Sequence, residues 1–450
     1  MFYTSFEGAT NWNEIGDAPF GNYTGQFAST FAAPFTNRAS GSSIANLFPV
    51  PAPPKNVSAS HPASGPPYDT FAEFFSAFGT IGSSPGFFHR NVLPYSENYE
   101  LSFQRQLDTA DLLTVSYVGT QGHHLLSSLS ANPGNPALCL RFAAEGCGPG
   151  GENNVYVAPN GAYTIGTRQP FSGVALPANS GVSGTTLPNG QIGVVPFAND
   201  SYFITAGGSS YNSFQVNWRH TSGRLQTMLG YTFSKAIDNS SGYGEQMNPY
   251  DSRLTRGLSA FDSTHNFVVS YNYALPVDKF GGPKRLTNGW AVSGITRFST
   301  GLPVTLVETD DQSLEGTSFG GPIILPADTP NFVGPLTISD PRKTGGFYFN
   351  PAAFAGSALG QEGNANHRFF HGPGVNNFDF AVLKRTPISE RVNLEFRAEL
   401  FNIFNHTQFL GPSGISSFNP VTHVSTTGTF GQVSAAAPPR IGQLALKLSF

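Results

Sequence analysis

Charged residues are scarce in this sequence. Asp, Glu, Lys and Arg together make up 12% of its 450 residues, whereas about 25% is usual in soluble globular domains. The formal net charge at pH 7 is -4, and the lysines and arginines are scattered, without the basic stripe that follows a phosphate backbone. We therefore expect no nucleic acid partner.

Long apolar runs are also absent. No segment approaches the roughly 18 apolar residues of a membrane-spanning helix, and the mean hydropathy is -0.16. These values do not exclude a membrane β-barrel, because every second residue of its strands faces a polar interior. Residues 1–12 lack the basic start, apolar centre and cleavage site of a secretory signal. If the protein works outside the cytoplasm, we expect its true N-terminus to be missing and this chain to be a fragment.

Cysteine is nearly absent. The two cysteines, Cys139 and Cys147, lie close together in a Gly/Pro-rich stretch. A short loop-closing disulfide in an oxidising compartment and two unpaired thiols are both compatible with this spacing. Two cysteines alone make no metal site, so the pair is a candidate disulfide only.

Glycine, proline and phenylalanine are abundant, with 51, 35 and 40 residues respectively. Runs of the residues that favour helices, such as Ala, Glu, Lys and Leu, are few. The composition therefore predicts an all-β fold with long loops. A chain of this length accommodates two or three soluble domains or one large barrel.

The end of the chain, 440–450 (RIGQLALKLSF), alternates between apolar and polar side chains. Successive side chains of a β-strand point to opposite sides, so one face would be apolar. About ten residues is the length that a tilted strand needs to cross the hydrocarbon of a bilayer. The segment indicates a final membrane-spanning strand or, alternatively, an amphipathic strand of a soluble sandwich. Its apolar face would carry Leu444, Leu446, Leu448 and Phe450.

The same alternation recurs in about nine segments after Tyr95. In the clearest, 392–400, apolar residues alternate with Asn, Glu, Arg and Glu. A Glu-Arg-Glu row is costly beside lipid but stable in an aqueous lumen. We therefore predict strands with an apolar outer face and a polar inner face. Further predicted outer-face residues are Tyr99, Leu101, Phe103, Leu113, Val115, Tyr117, Phe214, Val216, Trp218, Leu229, Tyr231, Phe233, Phe267, Val269, Tyr271, Tyr273, Trp290, Val292, Phe298, Phe378, Phe380 and Val382.

The connections between these segments alternate between short and long. The short or moderate ones are residues 108–110, 221–225, 276–288 and 386–391. The long ones are residues 119–210, 235–262, 301–376 and 405–439. Outer-membrane barrels have short periplasmic turns and long external loops, whereas soluble antiparallel sheets follow no such rule.

Two regions of different composition divide the chain. Residues 1–94 are rich in Gly, Pro, Ser and Phe, and 48–55 (FPVPAPPK) is too dense in proline for a strand interior. We interpret 1–94 as a barrel remnant followed by a long Gly/Pro-rich external loop. Residues 95–450 are interpreted as C-terminal barrel strands with short periplasmic turns and long extracellular loops.

Two stretches match the G-x-S-x-G pattern of serine hydrolases, at 82–86 (GSSPG) and 316–320 (GTSFG). Neither lies between a clear strand and a helix, where this pattern places its nucleophile. No glycine-rich loop opens a helix to bind a phosphate. We therefore predict no enzyme, no catalytic residues and no cofactor.

Signals for a metal are equally weak. His367 and His371 lie four residues apart, a spacing that places two metal ligands on one face of a helix. Their surroundings (GNANHRFFHGPG) cannot form a helix. We predict that they are solvated loop histidines. The histidines at 123–124 have no acidic or cysteine partner at ligand spacing, and the aspartates at 310–311 lack a regular calcium loop. No metal site is predicted.

Several stretches together resemble the C-terminal barrel region of Oar-like TonB-dependent receptors, which are outer-membrane proteins found in large paralogous sets. The resemblance runs in order over roughly 95–450. The stretches are 113–122 (LTVSYVGTQG), 210–218 (SYNSFQVNW), 230–238 (GYTFSKAID), 256–267 (RGLSAFDSTHNF), 289–303 (GWAVSGITRFSTGLP), 349–354 (FNPAAF), 396–406 (FRAELFNIFNH) and 444–450 (LALKLSF). The last resembles the signal by which outer-membrane barrels are recognised for assembly, a role that we carry onto Leu444, Leu446, Leu448 and Phe450.

The resemblance implies an antiparallel transmembrane β-barrel of about 22 strands in the intact protein, a size at which the lumen is plugged. It also implies an N-terminal carboxypeptidase-regulatory-like domain, a plug and a TonB-contacting segment, which this sequence lacks. About nine strands cannot close such a barrel, and an open sheet leaves unpaired edges in lipid. We therefore expect a partial, C-terminal portion of the barrel that is not a working transporter alone.

The predicted function is that of a C-terminal fragment of a TonB-dependent receptor or transporter that moves a bulky substrate across the cell outer membrane. The fragment itself lacks the plug and the TonB box. Expected partners are outer-membrane lipid, the barrel-assembly machinery, an unidentified bulky substrate bound by long loops such as 119–210, and the TonB system only through the missing N-terminal parts. The alternatives are a passive outer-membrane barrel or surface adhesin, and a secreted soluble all-β module that binds glycans.

Overall fold

In the part of the chain that the structure describes, one sheet with nine long antiparallel strands dominates the fold. The computed structural model describes residues 2–3, 86–130, 133–149, 156–157, 163–164, 174–176, 178, 184–194, 201–242, 245–315 and 328–450. The long strands are β1 (Tyr95–Gln106), β2 (Asp111–Ser130), β3 (Ser201–Ser222), β4 (Leu225–Asp238), β5 (His265–Ala274), β6 (Trp290–Ser299), β7 (Val375–Pro387), β8 (Asn393–Phe401) and β9 (Ile441–Ser449).

Each long strand pairs antiparallel with the next one in the chain, from β1 to β9. The two-residue strand Phe2–Tyr3 pairs with the other side of β1. The predicted all-β, antiparallel fold is confirmed, and nine long strands follow residue 94 as the alternation indicated. The number of strands in a complete barrel stays a prediction.

The register of the strands keeps the two faces of the sheet separate. Phe267 of β5 lies opposite Tyr231 of β4 and Phe298 of β6. One residue earlier, Asn266 lies opposite Thr232 and Ser299. Because strand side chains alternate with a period of two, this alignment gives one apolar face and one polar face across the sheet.

The apolar face is open to the surroundings. Leu101 on β1 is 75% exposed, and Leu444 and Leu446 on β9 are 76% and 68% exposed. Phe103 on β1, Phe214 on β3 and Phe233 on β4 belong to the same face and are also exposed. A soluble sandwich would stack its apolar faces on each other, so this arrangement is that of a sheet whose apolar face contacts lipid.

Some strands of the sheet have the length that is needed to cross a bilayer, and others are longer. Strands β5 and β6 have 10 residues and β8 and β9 have 9, which matches the 9–11 residues of a tilted membrane strand. Strands β2 and β3 have 20 and 22 residues. They therefore extend beyond the membrane layer.

The extension of β2 and β3 corrects one predicted boundary. The connection predicted at 119–210 is shorter in the structure, because the β2–β3 pairing continues to Ser130 and Ser201 with only an irregularity around Gly207. Continued backbone pairing keeps the strands formed where the side-chain alternation weakens. The connection itself is 131–200.

Short and long connections alternate, as predicted. The short ones are residues 107–110, 223–224, 275–289 and 388–392, and the long ones are 131–200, 239–264, 300–374 and 402–440. All short connections therefore lie at one end of the sheet, the short-connection end, and all long ones at the other, the long-connection end.

Parts of the long connections fold into a body with its own hydrophobic core, which was not predicted. The ring centroids of Phe349 and Phe430, from two different connections, lie 5.2 Å apart and edge to face, a favourable arrangement for buried aromatic rings. The buried core residues are Val304, Leu306, Phe349, Ala353, Phe354, Ala365, Phe370, Phe418 and Phe430.

Among the described residues, helices are few and short. They are α1 (Pro136–Arg141), α2 (Lys284–Thr287) and the 3-10 turns Ala143–Glu145, Pro276–Phe280 and Pro351–Ala353. Other short strands are Gly86–Phe87, Tyr156–Val157, Tyr163–Thr164, Val174–Leu176, Thr185–Thr186, Ile192–Val194, Gln246–Met247, Gly257–Leu258, Val307–Glu308, Asn331–Phe332, Phe354–Ala355 and Ile415–Ser416. Most of the region predicted as 1–94 lies outside the described residues, so its interpretation stays a prediction.

Candidate functional site

The polar face of the sheet carries hydrogen bonds between neighbouring strands. The hydroxyls of Ser102 on β1 and Ser116 on β2 lie 2.9 Å apart. Farther along the sheet, Arg297 on β6 donates to the side chain of Asn266 on β5 at 3.3 Å. Polar side chains in such rows are stable beside water and costly beside lipid, so this face is the one that lines an aqueous space.

A charged ladder continues this face across the last three strands. Arg385 donates to Glu395 at 2.7 Å, and Arg397 donates to Glu395 at 2.9 Å and to Glu399 at 3.4 Å. Gln443 on β9 also donates to Glu399. The Glu-Arg-Glu row therefore lies on the polar face, as predicted, with each of its members paired.

A depression of about 500 Å³ lies against strands β3 to β8. Its lining mixes charged, polar and apolar side chains, which can contact a hydrated solute in several ways. The lining includes Arg219, Met228, Ser270, Ile295, Asp379 and Glu399.

The four long connections contact one another at the long-connection end. The backbone of Gly134, in the first connection, donates to Glu315 in the third at 2.7 Å, and the hydroxyl of Tyr250, in the second, donates to the carbonyl of Gly134. Val307, in the third, donates to Gly414 in the fourth at 2.9 Å. These bonds join segments of all four connections into one layer.

Arg368 is the central ionic residue of this layer and is 2% exposed. Its Nε donates to the carbonyl of Leu258 at 2.7 Å, and its Nη2 donates to Ser241 at 2.8 Å and to Glu245 at 3.0 Å. The carboxylate of Asp238, at the end of β4, lies 3.6 Å away. Arg368 therefore holds the second connection against the third.

The electrostatics of Glu245 follow from this contact. Burial alone would raise the pKa of its carboxyl group, but the hydrogen bonds from Arg368 and the nearby ring of His367 hold that pKa far below its usual value. Glu245 is therefore a permanent anion in the ordinary pH range. Its charge is opposite to that of the Arg368 guanidinium group.

His367 and His371 are not the solvated loop residues that the sequence predicted. His367 is buried, with its Nε2 3.5 Å from Glu245. The ring of His371 lies 2.7 Å from the carboxylate of Asp262, which also accepts from the backbone of Ala236. The prediction was wrong because the second connection folds over both histidines and supplies the acidic partners.

Buried carboxyl groups form a second cluster in the same layer. Glu308 is fully buried and accepts from the backbone and hydroxyl of Ser357 at 3.1 and 2.8 Å. Asp328 accepts from the backbone and hydroxyl of Ser313 at 2.6 and 2.7 Å. The backbone of Glu308 donates to the carbonyl of Asp328 at 2.6 Å, so two acidic residues lie side by side.

Burial raises the pKa of Glu308 and that of Glu315 to about 7, and the nearby charge of Asp328 adds to both shifts. The pKa of Glu362 is also raised well above its usual value, first by burial and then by Asp328. Like charges in a poorly solvated cluster disfavour simultaneous ionisation. This part of the layer therefore binds protons at neutral pH.

A disulfide bond joins Cys139 and Cys147. Both cysteines are buried in a small apolar cluster with Leu314, and Phe142 packs against it. The side chain of Asn135 caps α1 by accepting from the backbone of Leu138 at 3.1 Å, which fixes the start of the bridged segment. The bond therefore closes a loop within the first connection, and the packing of its cysteines on Leu314 holds that loop against the third.

The residues carried over as an assembly signal lie on the apolar face of β9. Leu444, Leu446 and Leu448 lie opposite Ala398, Phe396 and Leu394 of β8, and Phe450 is 98% exposed. Their positions are accessible to another protein or to lipid. The assignment of an assembly role stays a prediction.

The remaining sequence candidates are dispersed. Both G-x-S-x-G stretches lie outside the described residues, except for Gly86. His123 stacks on Tyr95 with ring centroids 4.9 Å apart, and His124 lies on the same ring. In the part of the chain that the structure describes, no group of three or more His, Cys, Asp or Glu side chains is arranged to hold a metal ion.

The ionic residues of the long connections were not predictable from sequence patterns. Arg368 and Glu308 follow no periodic pattern, and their partners are far away in the chain. Only the composition indicated a packed body in these connections. Phenylalanines such as Phe349, Phe354 and Phe370 are more frequent there than is usual in solvent-exposed loops. Such a density of aromatic residues indicates a packed core.

The family is decided by a family model described as an outer membrane beta barrel domain, which matches residues 1–443. The chain belongs to this family of outer-membrane β-barrel domains. The predicted outer-membrane barrel is confirmed at this level, and so is the predicted location in the cell outer membrane. No helix among the described residues has the length and apolar character needed to cross a membrane.

Solved structures similar to this outer-membrane β-barrel domain are described as transporters and receptors. The outer membrane transporter YddB from Escherichia coli is 9% identical, with 82% of this chain and 34% of that chain covered and a TM-score of 0.39. The FrpB iron transporter from Neisseria meningitidis (F3-3 variant) is 11% identical, with 82% and 33% covered and a TM-score of 0.35. The ferripyoverdine receptor of Pseudomonas aeruginosa is 8% identical, with 79% and 27% covered and a TM-score of 0.31.

The barrel domain thus spans about a third or less of the length of these solved structures. Among curated proteins, no sequence matches the chain. The substrate and partners of the whole protein are therefore a matter of proposal.

Proposed function

We propose that the chain is the C-terminal barrel part of a TonB-dependent outer-membrane receptor that moves a bulky substrate across the outer membrane. In this proposal, the lumen plug and the TonB-contacting segment belong to parts of the receptor that this sequence does not contain. The chain itself contributes barrel wall and external loops, not covalent chemistry. The TonB system acts on it only through those other parts.

The observation that carries the proposal is that the sheet combines a polar face with one layer of interlocked long connections. The face is lined by the ladder from Arg385 to Gln443, which suits a hydrated lumen. At one end, the connections build a packed layer around Arg368 instead of separate mobile loops. A receptor for a bulky ligand needs such a preorganised external surface.

The free edge of β9 supports the view that the sheet is part of a larger barrel. Among the described residues, β9 pairs only with β8. An unpaired strand edge in hydrocarbon costs several kcal/mol for each unsatisfied backbone group. In the proposal, further strands of the receptor pair with this edge and close the barrel.

The assembly role of the last strand is part of the same proposal. The apolar residues Leu444, Leu446, Leu448 and Phe450 would be recognised by the barrel-assembly machinery. Their exposed, alternating arrangement provides the accessible surface that such recognition requires.

The experiment that tests the proposal is to sequence the DNA immediately upstream of Met1. We expect a continuous reading frame that encodes a plug and a TonB-contacting segment. A stop codon in the same frame, followed by a start that yields an assembled outer-membrane protein, would contradict energy coupling. That outcome would favour a passive barrel or a surface adhesin.

A secreted glycan-binding module is the remaining alternative. It requires the exposed apolar face to be compatible with water, although Leu101 and Leu444 are more than two-thirds exposed. Expression without detergent tests this directly. A monodisperse soluble monomer would support the module, whereas aggregation that detergent reverses would support the receptor barrel.

A further inference from the structure

The β5–β6 connection, residues 275–289, differs from its neighbours at the short-connection end. The other three connections there are 107–110, 223–224 and 388–392, whereas this one contains a 3-10 turn and the helix α2. A two-residue turn is enough to join antiparallel strands. The additional residues therefore form a structure beyond what the connection needs.

The charges of this connection are unbalanced. Lys279, Lys284 and Arg285 are exposed. The one acidic residue, Asp278, is already paired, because Arg224 donates to its two carboxylate oxygens at 2.8 and 2.7 Å. The four short connections together hold five basic and three acidic residues, although the whole chain has a net charge of -4. Positive charge is thus concentrated at this end.

The connection also exposes apolar side chains beside these cations. Phe280 is 83% exposed and Leu286 is 67% exposed. Exposed aromatic and aliphatic side chains next to lysine and arginine are typical of segments that lie in a membrane interface. Exposure of such apolar side chains to water alone does not stabilise the protein.

Two residues of the apolar face hold the connection on the lipid side of the sheet. The indole of Trp290 donates to the carbonyl of Leu286 at 2.7 Å. The amino group of Lys384, which lies opposite Trp290 in the register, donates to the carbonyls of Arg285 and Asn288. It also lies 5.6 Å from the centre of the Trp290 ring, a distance at which a cation and an aromatic ring attract each other.

These contacts decide which way the connection faces. The row of Trp290 and Lys384 continues into Phe396 and Leu446, which belong to the face that contacts lipid. The α2 turn is therefore attached to the outside of the barrel wall, at the height where the apolar face ends. A tryptophan at this height is characteristic of a membrane interface.

We propose that Lys279, Lys284 and Arg285, together with Phe280 and Leu286, bind anionic phospholipid of the inner leaflet of the outer membrane. The basic side chains contact the headgroup phosphates, and the two apolar side chains enter the boundary of the acyl chains. Clustered lysine and arginine next to a membrane are attracted to anionic lipid. The proposal rests on the outer-membrane location and on short connections facing the periplasm, and it does not require TonB coupling.

The first test uses quenching of Trp290 fluorescence in vesicles. The full chain with Trp12→Phe and Trp218→Phe keeps Trp290 as its single tryptophan. It is inserted into phosphatidylcholine vesicles that contain either brominated phosphatidylglycerol or the same amount of brominated phosphatidylcholine. We expect several-fold stronger quenching by the brominated phosphatidylglycerol. Equal quenching by the two lipids would overturn the proposal.

Charge variants identify the residues. The variant Lys279→Gln, Lys284→Gln, Arg285→Gln should lose the preference for phosphatidylglycerol. A matched control removes three exposed cations from the long connections, with substitutions Arg253→Gln, Arg342→Gln and Lys343→Gln, and should keep the preference. A preference that persists in the first variant, or that inorganic phosphate abolishes at moderate concentration, would contradict binding of lipid by this connection.

A second measurement uses cells, so that it does not depend on insertion of the chain into vesicles. A photoreactive benzophenone residue replaces Leu286, and the outer membrane is irradiated before mass spectrometry of the adducts. We expect adducts enriched in phosphatidylglycerol or cardiolipin relative to their share of the membrane. Adducts that follow bulk lipid composition would overturn the proposal, whereas loss of TonB would change transport but not these adducts.

Discussion

The guanidinium group of Arg368 and the carboxylate of Glu245 form a two-point ion pair between residues 123 positions apart in the chain. Arg368 is almost completely buried, and 17% of the Glu245 side chain is exposed. The pair joins the second long connection to the third. Removing one partner of a buried pair leaves the other charge without compensation.

We therefore predict that Arg368→Met loosens the layer of long connections by about 3 to 5 kcal/mol, the usual effect of breaking a buried ion pair. Hydrogen exchange in detergent should detect it as faster exchange in residues 239–262 and 365–371. Arg342→Met is a matched control, because Arg342 pairs with Asp340 at the surface with 58% of its side chain exposed. Its effect should stay below about 1 kcal/mol; equal effects of the two substitutions would contradict a central role for Arg368.

The buried carboxyl groups predict a pH dependence of the same layer. Burial raises the pKa of Glu308 and that of Glu315 from 4.5 to about 7. A raised pKa in the folded state means that the stabilisation is complete below pH 4.5 and is lost as pH rises through 7. Hydrogen exchange in residues 306–315 should therefore be slower at pH 5 than at pH 8, after correction for intrinsic exchange. Each unit of pKa shift corresponds to roughly 1.4 kcal/mol.

The substitution Glu308→Gln should remove much of this dependence, because glutamine keeps the acceptor for Ser357 but does not ionise. Asp340→Asn is the control, since its surface pair with Arg342 lowers the pKa of Asp340 to about 2. That group does not titrate between pH 5 and pH 8. An unchanged pH profile in Glu308→Gln would exclude Glu308 as its source.

Gly294 is predicted to tolerate no side chain. A Cβ atom at this position would lie 2.6 Å from the hydroxyl of Tyr271 and 2.7 Å from the carbonyl oxygen of Asp379. Gly294→Ala should therefore reduce the amount of assembled protein, measured as the heat-sensitive band in electrophoresis. Gly230→Ala is the matched strand control, because its Cβ would meet only the end of the Asn217 side chain, at 3.2 Å. Normal assembly of Gly294→Ala would show that the strands can separate there.

The bond between Cys139 and Cys147 predicts protection of both thiols. Maleimide should label neither cysteine in the folded protein before reduction and both after reduction and unfolding. The substitution of both cysteines by serine should expose residues 133–149 to protease, since closing this segment, with its separation of 8 residues, is worth about 2 to 3 kcal/mol. Labelling without reductant would contradict the bond.

The last prediction concerns assembly. Phe450→Ala combined with Leu448→Ser should lower the amount of protein in the outer-membrane fraction several-fold, measured by immunoblotting of fractionated cells. Val421→Ala is a suitable control, because Val421 is also highly exposed but lies in a long connection. If the double variant reached the outer membrane in unchanged amounts, the proposed assembly signal in β9 would be contradicted.

The sheet was predictable from sequence because its order is local. Side-chain alternation in segments such as 392–400 specifies two faces, and short connections make consecutive strands neighbours. The register then brings Phe267 and Phe298 to the same face without any further information. Long-range partners play little part in this level of structure.

The layer of long connections was not predictable for the opposite reason. Phe349 and Phe430 meet across two connections, and no period in either segment indicates the contact. The histidine stretch that includes His367 was interpreted as solvated because its own residues are those of a loop. Its burial is decided by Glu245 and by the fold of a different connection.

The sheet has an odd number of long strands, and this restricts how a barrel that contains it can close. In a sheet whose neighbours all run in opposite directions, the first and ninth strands run the same way. Two copies of this sheet joined edge to edge would therefore meet with parallel seams. An antiparallel cylinder that contains β1 to β9 must insert an odd number of strands between them, and Phe2–Tyr3 occupies the first such place.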